Sequence, residues 1–104
     1  MGGFPASELK AMRKHAAEAA GFLKAIAHEA RLLVLCELAG GERSAGELVQ
    51  VSGLSQSALS QHLAKLRDEG LVATRRDAQS IYYSIADRNA ARVLLVLRDI
   101  YCKR

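Results

Sequence analysis

The chain has 104 residues, half of them apolar, and fifteen Lys and Arg against eleven Asp and Glu give a net charge of +4. This length predicts one domain with a marginal core, and the charge permits a polyanionic partner without demonstrating one. No apolar run reaches the roughly 18 residues of a membrane span, and Met1–Pro5 lacks the basic start and apolar stretch of a signal peptide. We therefore expect a cytoplasmic protein, in which both cysteines rest reduced.

Two helices are predicted in the N-terminal part, residues 6–40. Apolar residues recur at helical spacing along Ala6–Ala27. Glu29–Ala39 forms a second helical stretch, which Gly40 and Gly41 stop.

A helix-turn-helix pattern follows over residues 44–69. Ser44 and Glu47 have the spacing of a capping box, in which each side chain bonds the other residue's backbone amide. The helix they open is short and ends near Val51. Ser52–Leu54 reads as a tight turn, and Ser55 is a plausible N-cap for the next helix.

This second helix is predicted to read DNA. Leu59, Leu63 and Leu66 mark its buried stripe, and Gly70 ends it. Residues opposite the leucines would face the major groove, where Ser and Gln can donate to and accept from base edges and Lys can neutralise phosphate. The candidates on this helix are Ser55, Gln56, Ser57, Ser60, Gln61 and Lys65. His62, on the flank of the stripe, fits a partly buried structural role as well as a phosphate contact.

A β-hairpin is predicted over residues 71–86. Leu71–Arg76 and Ile81–Ile85 are strand-like, the second by alternation, and the four residues 77–80 connect them. As the wing of a winged helix-turn-helix, the hairpin would bring Arg75, Arg76 and Gln79 to the DNA backbone or minor groove. The alternative for these residues is an edge strand protected by charge.

The last helix, residues 87–102, is predicted to start at an Asp87 cap. Its middle, Val93–Leu97, is apolar on every side, so we expect it to be buried on two sides and shared with a partner subunit. The expected fold is a single domain over residues 1–104, mainly α with a β-hairpin wing: a winged helix-turn-helix homodimer.

Three segments carry a family resemblance: Phe22–Leu35, Leu54–Val72 and Ile81–Ile85. In order and spacing they resemble the ArsR/SmtB family of bacterial repressors, from about residue 16 to the end. Glu29 departs from the pattern, since the family often has proline there. The resemblance implies a homodimer through the first and last helices, bound to double-stranded operator DNA until an inducer releases it.

The metal sites usual in this family look absent. One uses Cys-x-Cys in the first helix of the helix-turn-helix, and the stretch Glu42–Leu48 has no cysteine. The other uses ligands on the last helix, where Asp87 survives but Asn89, Ile100 and Lys103 replace imidazole and carboxylate ligands. No metal or other cofactor is expected.

The two cysteines, Cys36 and Cys102, stand where the sulfide-responsive subgroup (the SqrR and BigR type, with HlyU nearby) carries its pair. The resemblance implies that reactive sulfur species join them in a di- or polysulfide bridge, which releases DNA. From the residues alone, the position of Cys36 beside Leu32 and Leu33 favours a buried free cysteine that behaves as a small hydrophobic residue. Lys103 and Arg104 would favour the thiolate of Cys102 electrostatically.

Other functions stay open at this stage. The same thiols would suit a sensor of a soft metal or arsenite, although two sulfurs rarely complete a site, or a general thiol redox sensor. An interaction module that does not bind DNA is a further alternative. An enzyme is not expected, because no nucleophile with a placed base, phosphate loop or carboxylate pair is present.

Overall fold

The computed structural model describes residues 2–103, and in them five helices surround a small antiparallel sheet. The mainly helical fold with a β-hairpin is the predicted one. The helices are α1 (Ala6–Ile26), α2 (Glu29–Ala39), α3 (Ala45–Ser52), α4 (Gln56–Asp68) and α5 (Arg88–Tyr101), and the strands are β1 (Arg43–Ser44), β2 (Val72–Asp77) and β3 (Ser80–Ile85).

Side-chain caps set the starts of three helices, as predicted. In the capping box of α3, the Ser44 amide donates to Glu47 at 2.9 Å and the Glu47 amide donates to Ser44 Oγ at 3.1 Å. Ser55 Oγ accepts from the Ala58 amide at 3.1 Å. Asp87 accepts from the first amides of α5. Each cap satisfies backbone donors that have no partner inside the helix.

The core lies beneath the helix-turn-helix. Leu59, Leu63 and Leu66 of α4 are all buried, which confirms the predicted stripe. Gly70 has a φ of +76°, and the following Leu71 amide donates to the Leu66 carbonyl at 2.9 Å. Leu71 is itself buried, so the glycine-based C-cap directs the chain back across the core into β2.

The sheet has the order β1-β3-β2, and β1 was not predicted. It has only two residues, Arg43 opposite Tyr83 and Ser44 opposite Tyr82. The predicted four-residue connection was also too long, because Asp77 pairs with Ser80 and leaves a two-residue turn. In that turn Ala78 adopts a φ of +55°, a conformation that its sequence does not signal.

Helices α1 and α5 leave much apolar surface uncovered. Leu94 of α5 is buried, but Leu95 and Val96 are 50% and 56% exposed, so one subunit buries this helix on one side only. In α1, every residue up to Glu18 is exposed, Leu9 and Met12 included. Within residues 2–103, no helix has both the length and the apolar character to cross a membrane.

Candidate DNA interface and thiol cavity

The outer face of α4 is the first part of the candidate interface. Its candidate side chains are exposed on the face opposite the three buried leucines: Ser55, Gln56, Ser57, Ser60, Gln61 and Lys65. Two of them have intramolecular partners. Ser55 caps the helix, and Lys65 Nζ lies 3.5 Å from a Glu69 carboxylate oxygen. The face is thus polar and open to a ligand, and Glu69 offsets the charge of Lys65 near its C-terminal end.

His62 differs from the other candidates because it is half-buried. Its ring centroid lies 4.4 Å from that of His28, with the ring planes tilted by 48°. Burial lowers the pKa of His62, and the nearby His28 and Arg31 lower it further. These contacts support the structural alternative, and the phosphate contact remains a prediction.

His28 was not recognised from the sequence as a functional residue. Its Nδ1 accepts from the Ala30 amide at 3.1 Å and so caps the start of α2. The nitrogen must be unprotonated to accept this bond. Histidine is not among the preferred N-cap residues, so no sequence pattern indicated this cap.

The wing, which we define as the β2–β3 hairpin of residues 72–85, exposes all three of its candidates. Arg75 has strong intramolecular partners, since it donates to both carboxylate oxygens of Glu42, from Nε at 2.7 Å and from Nη2 at 2.6 Å. Arg76, by contrast, makes no ion pair within residues 2–103, and Gln79 lies in the turn. Arg76 and Gln79 are therefore the wing side chains most open to a partner.

Both cysteines line one cavity of about 1150 Å³ between α2 and α5, which we call the thiol cavity. Both side chains are exposed, so Cys36 is not the deeply buried thiol of the alternative interpretation. Leucines from both helices supply much of the wall, including Leu32, Leu94 and Leu97. The cavity thus brings two thiols together on a largely apolar, accessible surface.

Electrostatics make the Cys36 thiolate less favourable than that of a free cysteine. Partial burial raises the pKa of Cys36, and the negative charges of Cys102 and Glu37 raise it further. Cys102 caps the C-terminus of α5 and donates its amide to the Arg98 carbonyl at 2.8 Å. Lys103, expected to favour its thiolate, is paired with Asp99 at 3.2 Å, and Arg104 lies outside the described residues.

Residues at the usual metal positions have other roles here. Asp87 caps α5, accepting from Asn89 at 2.7 Å and from Ala90 at 3.1 Å. Asn89 in turn accepts a bond from Arg92. In the described part of the chain, no three His, Cys, Asp or Glu side chains gather closely enough to hold a metal ion.

Glu42 is the interface residue that the sequence did not reveal. It follows Gly40 and Gly41 in a loop, and its partner Arg75 is distant along the chain. The two meet because β1 pairs with β3, which brings the loop before β1 to the wing. No local pattern signals a contact that depends on a two-residue strand.

Comparison with known sequences reveals close relatives over nearly the whole chain. Residues 28–74 match the profile described as "Bacterial regulatory protein, arsR family". The chain is 48% identical over 97 residues to the HTH-type transcriptional regulator YgaV of Escherichia coli K12, covering 92% of this chain and 98% of that protein. It is 48% identical over 94 residues to the biofilm growth-associated repressor of Agrobacterium fabrum, covering 90% and 80%.

Solved structures of transcriptional regulators and DNA-binding domains are also similar to this chain. Reduced HlyU from Vibrio cholerae superimposes with a TM-score of 0.85 at 46% identity, covering 90% of this chain and 99% of that one. A homodimeric winged helix-turn-helix DNA-binding domain from Mycobacterium bovis, Mb0332, gives a TM-score of 0.76 at 28% identity, covering 100% and 93%.

Proposed function

The chain belongs to the ArsR family of transcriptional regulators, and we propose that it is a homodimeric repressor. In this proposal, reactive sulfur species bridge Cys36 and Cys102, and the bridged protein releases operator DNA. Its relatives are regulators rather than enzymes. Repression is supported by the name of the Agrobacterium relative. HlyU of Vibrio cholerae, in contrast, is named a transcriptional activator. The direction of regulation therefore has to be measured.

The observation that carries the sulfur chemistry is the shared cavity. Cys36 and Cys102 both line it, and the charge of Cys102 contributes to raising the pKa of Cys36. A plain disulfide needs α-carbons within about 7 Å, and a bridge with extra sulfur atoms tolerates a wider gap.

The reaction balances with a persulfide, RSSH, as the only oxidant. A cysteine thiolate attacks the terminal sulfur of RSSH, forms Cys–S–SH and expels RSH after proton transfer. The second thiolate then attacks the inner sulfur, and hydrogen sulfide leaves as the disulfide forms. If both cysteines carry persulfides, attack by one terminal sulfur on the other inner sulfur gives a trisulfide and the same leaving group.

DNA binding is proposed for the exposed face of α4 and the wing. Gln56, Ser57, Ser60 and Gln61 would read base edges, and Lys65 and Arg76 would neutralise phosphate. Dimerisation through α1 and α5 is supported by their uncovered apolar side chains and by the homodimeric neighbour. A two-fold dimer would place two α4 helices on successive major grooves.

The test combines mass and affinity. The reduced protein is treated with an organic persulfide, and its intact mass and its affinity for a duplex that the reduced protein selected from a random-sequence library are measured before and after. We expect a mass that matches an internal bridge and an affinity lower by about tenfold or more. Unchanged mass together with unchanged affinity would contradict the proposal.

Matched variants separate bridging from simple modification. Cys36→Ser and Cys102→Ser should each bind DNA as the reduced wild type does and should keep that affinity after treatment. Stoichiometric binding of arsenite or a soft metal, with release of DNA and no sulfur added, would favour the metal-sensing alternative instead.

A further inference from the structure

One carboxylate of the loop between α2 and β1 contacts the wing, in addition to the pairing of β1 with β3. Glu42 accepts two hydrogen bonds from the fork of Arg75, at 2.6 and 2.7 Å, which is the strong bidentate geometry of an arginine–carboxylate pair. The Arg75 guanidinium also lies 4.6 Å from the centroid of the Tyr82 ring and 3.8 Å from a carboxylate oxygen of Asp77. Arg75 is therefore engaged by three groups at once.

The same loop is part of the wall of the thiol cavity. Gly40, Gly41 and Glu42 line it together with Cys36. The Gly41 amide donates to the Leu38 carbonyl at 3.0 Å, so the loop continues directly from the last turn of α2. Gly41 has a φ of +132°, which a side chain would disfavour. Only the last turn of α2 and two glycines therefore separate Cys36 from Glu42 along the chain.

Arg75, the second member of the pair, lies in the middle of the wing. Arg75 of β2 lies opposite Tyr82 of β3, and the ladder runs unbroken from Val72–Ile85 to Asp77–Ser80. A hairpin paired along its whole length moves as a unit. Displacement of Arg75 therefore displaces the turn that carries Gln79.

Charge keeps the pair intact at neutral pH. The hydrogen bonds from Arg75 lower the pKa of Glu42, and those same bonds raise the pKa of Arg75. Both shifts favour the charged forms that the pair requires.

We propose that Glu42 and Arg75 are positioning residues that couple the wing to the thiol cavity. Arg75 then positions the wing through contacts inside its own subunit, and the neighbouring Arg76 is the wing arginine that contacts phosphate. This inference rests on the proposed function, because it requires DNA at the wing and a bridge between the cysteines.

The first test needs no sulfur chemistry. Binding of the reduced protein to a duplex, selected from a random-sequence library by the reduced wild type, is measured over a range of salt concentrations. A lost phosphate contact lowers the salt slope by about one unit per subunit. We expect this loss for Arg76→Gln and an unchanged slope for Arg75→Gln. An Arg75→Gln slope that falls as far as that of Arg76→Gln overturns the inference.

The second test measures coupling on the same duplex. Glu42→Gln and Arg75→Lys should each reduce the fold-loss of affinity caused by bridging about threefold or more. Lysine keeps the charge of Arg75 but cannot form the two-pronged bond. Arg75→Lys also serves if Glu42→Gln proves poorly folded in thermal unfolding.

Glu69→Gln is the matched control. It removes one carboxylate from a surface pair with Lys65 but leaves the Glu42–Arg75 contact in place, so its fold-loss should equal that of the wild type. If Glu42→Gln and Arg75→Lys both show the wild-type fold-loss of affinity, the coupling is refuted and the proposed function stands. If the bridged wild type keeps its affinity, the proposed function fails and the coupling fails with it.

Discussion

His28 and His62 meet where the start of α2 lies against α4, and the protonation of His62 opposes the fold. Burial, His28 and Arg31 together lower the pKa of His62 below its ordinary value. Protonation of His62 places a positive charge against His28 and near Arg31. His28, the cap of α2, must itself stay unprotonated at Nδ1 to accept from Ala30.

The sign of the pH dependence follows from the direction of that shift. Above the unfolded-state pKa of about 6.5, His62 is neutral in both states. Below it the unfolded chain binds the proton first, so stability is lost as the pH falls towards the depressed folded value. Thermal unfolding between pH 8 and about 5 should show this loss in the wild type and a smaller loss in His62→Gln.

His15 provides the control for this prediction. It lies on exposed α1, with Glu18 at 3.6 Å as its partner. The variant His15→Gln should therefore retain most of the wild-type pH dependence. Equal pH profiles for His62→Gln and the wild type would show that the histidine contact does not govern acid stability.

Among the elements, those with local signals were predicted and those that depend on distant pairing were not. The caps at Ser44, Ser55 and Asp87 and the buried leucines of α4 follow from spacing alone, and the structure confirms them. Strand β1 was missed because two residues carry no alternation, and its pairing with β3 is a tertiary contact.

In the candidate site, too, some features were predicted from local sequence patterns and others were not. The exposed face of α4 follows from helix periodicity, and so do the positions of the two cysteines on α2 and at the end of α5. The Glu42–Arg75 pair and the His28–His62 contact do not, because each joins residues far apart in the chain. Sequence periodicity describes one element at a time, and these contacts lie between elements.

The cap of α4 makes a prediction about Ser55, whose two assigned roles can be separated. Ser55→Ala should lower the free energy of unfolding by about 1 kcal/mol, since the Ala58 amide loses its acceptor. Ser55→Asp should restore stability, because aspartate is an equally good cap and suits the helix dipole. If Ser55 faces DNA, the added negative charge should nevertheless weaken binding.

Chemical denaturation and DNA titration of the same preparations check this prediction. Ser57→Ala is the control, because Ser57 is exposed on α4 but is not the N-cap residue, and its unfolding free energy should change little. A Ser55→Asp protein as unstable as Ser55→Ala would contradict the capping role.

For the whole molecule, the uncovered apolar faces of α1 and α5 predict an obligatory partner copy. Val96→Glu should raise the dimer dissociation constant by about 100-fold or more, because a carboxylate would be buried without a partner. Sedimentation equilibrium measures the change. Val51→Glu, at a similarly exposed valine on α3, should remain as dimeric as the wild type.

The exposure of α1 also bears on the order in which the protein takes shape after synthesis. Residues 6–18 of α1 are all exposed, so this part of the helix gains little from the core of its own subunit, and tertiary packing supplies most of the stability of helices in proteins. In the proposed dimer, α1 would therefore be among the last elements to become ordered. Dimerisation would stabilise the helix α1, so the concentration of subunits would set the rate at which the protein completes its folding.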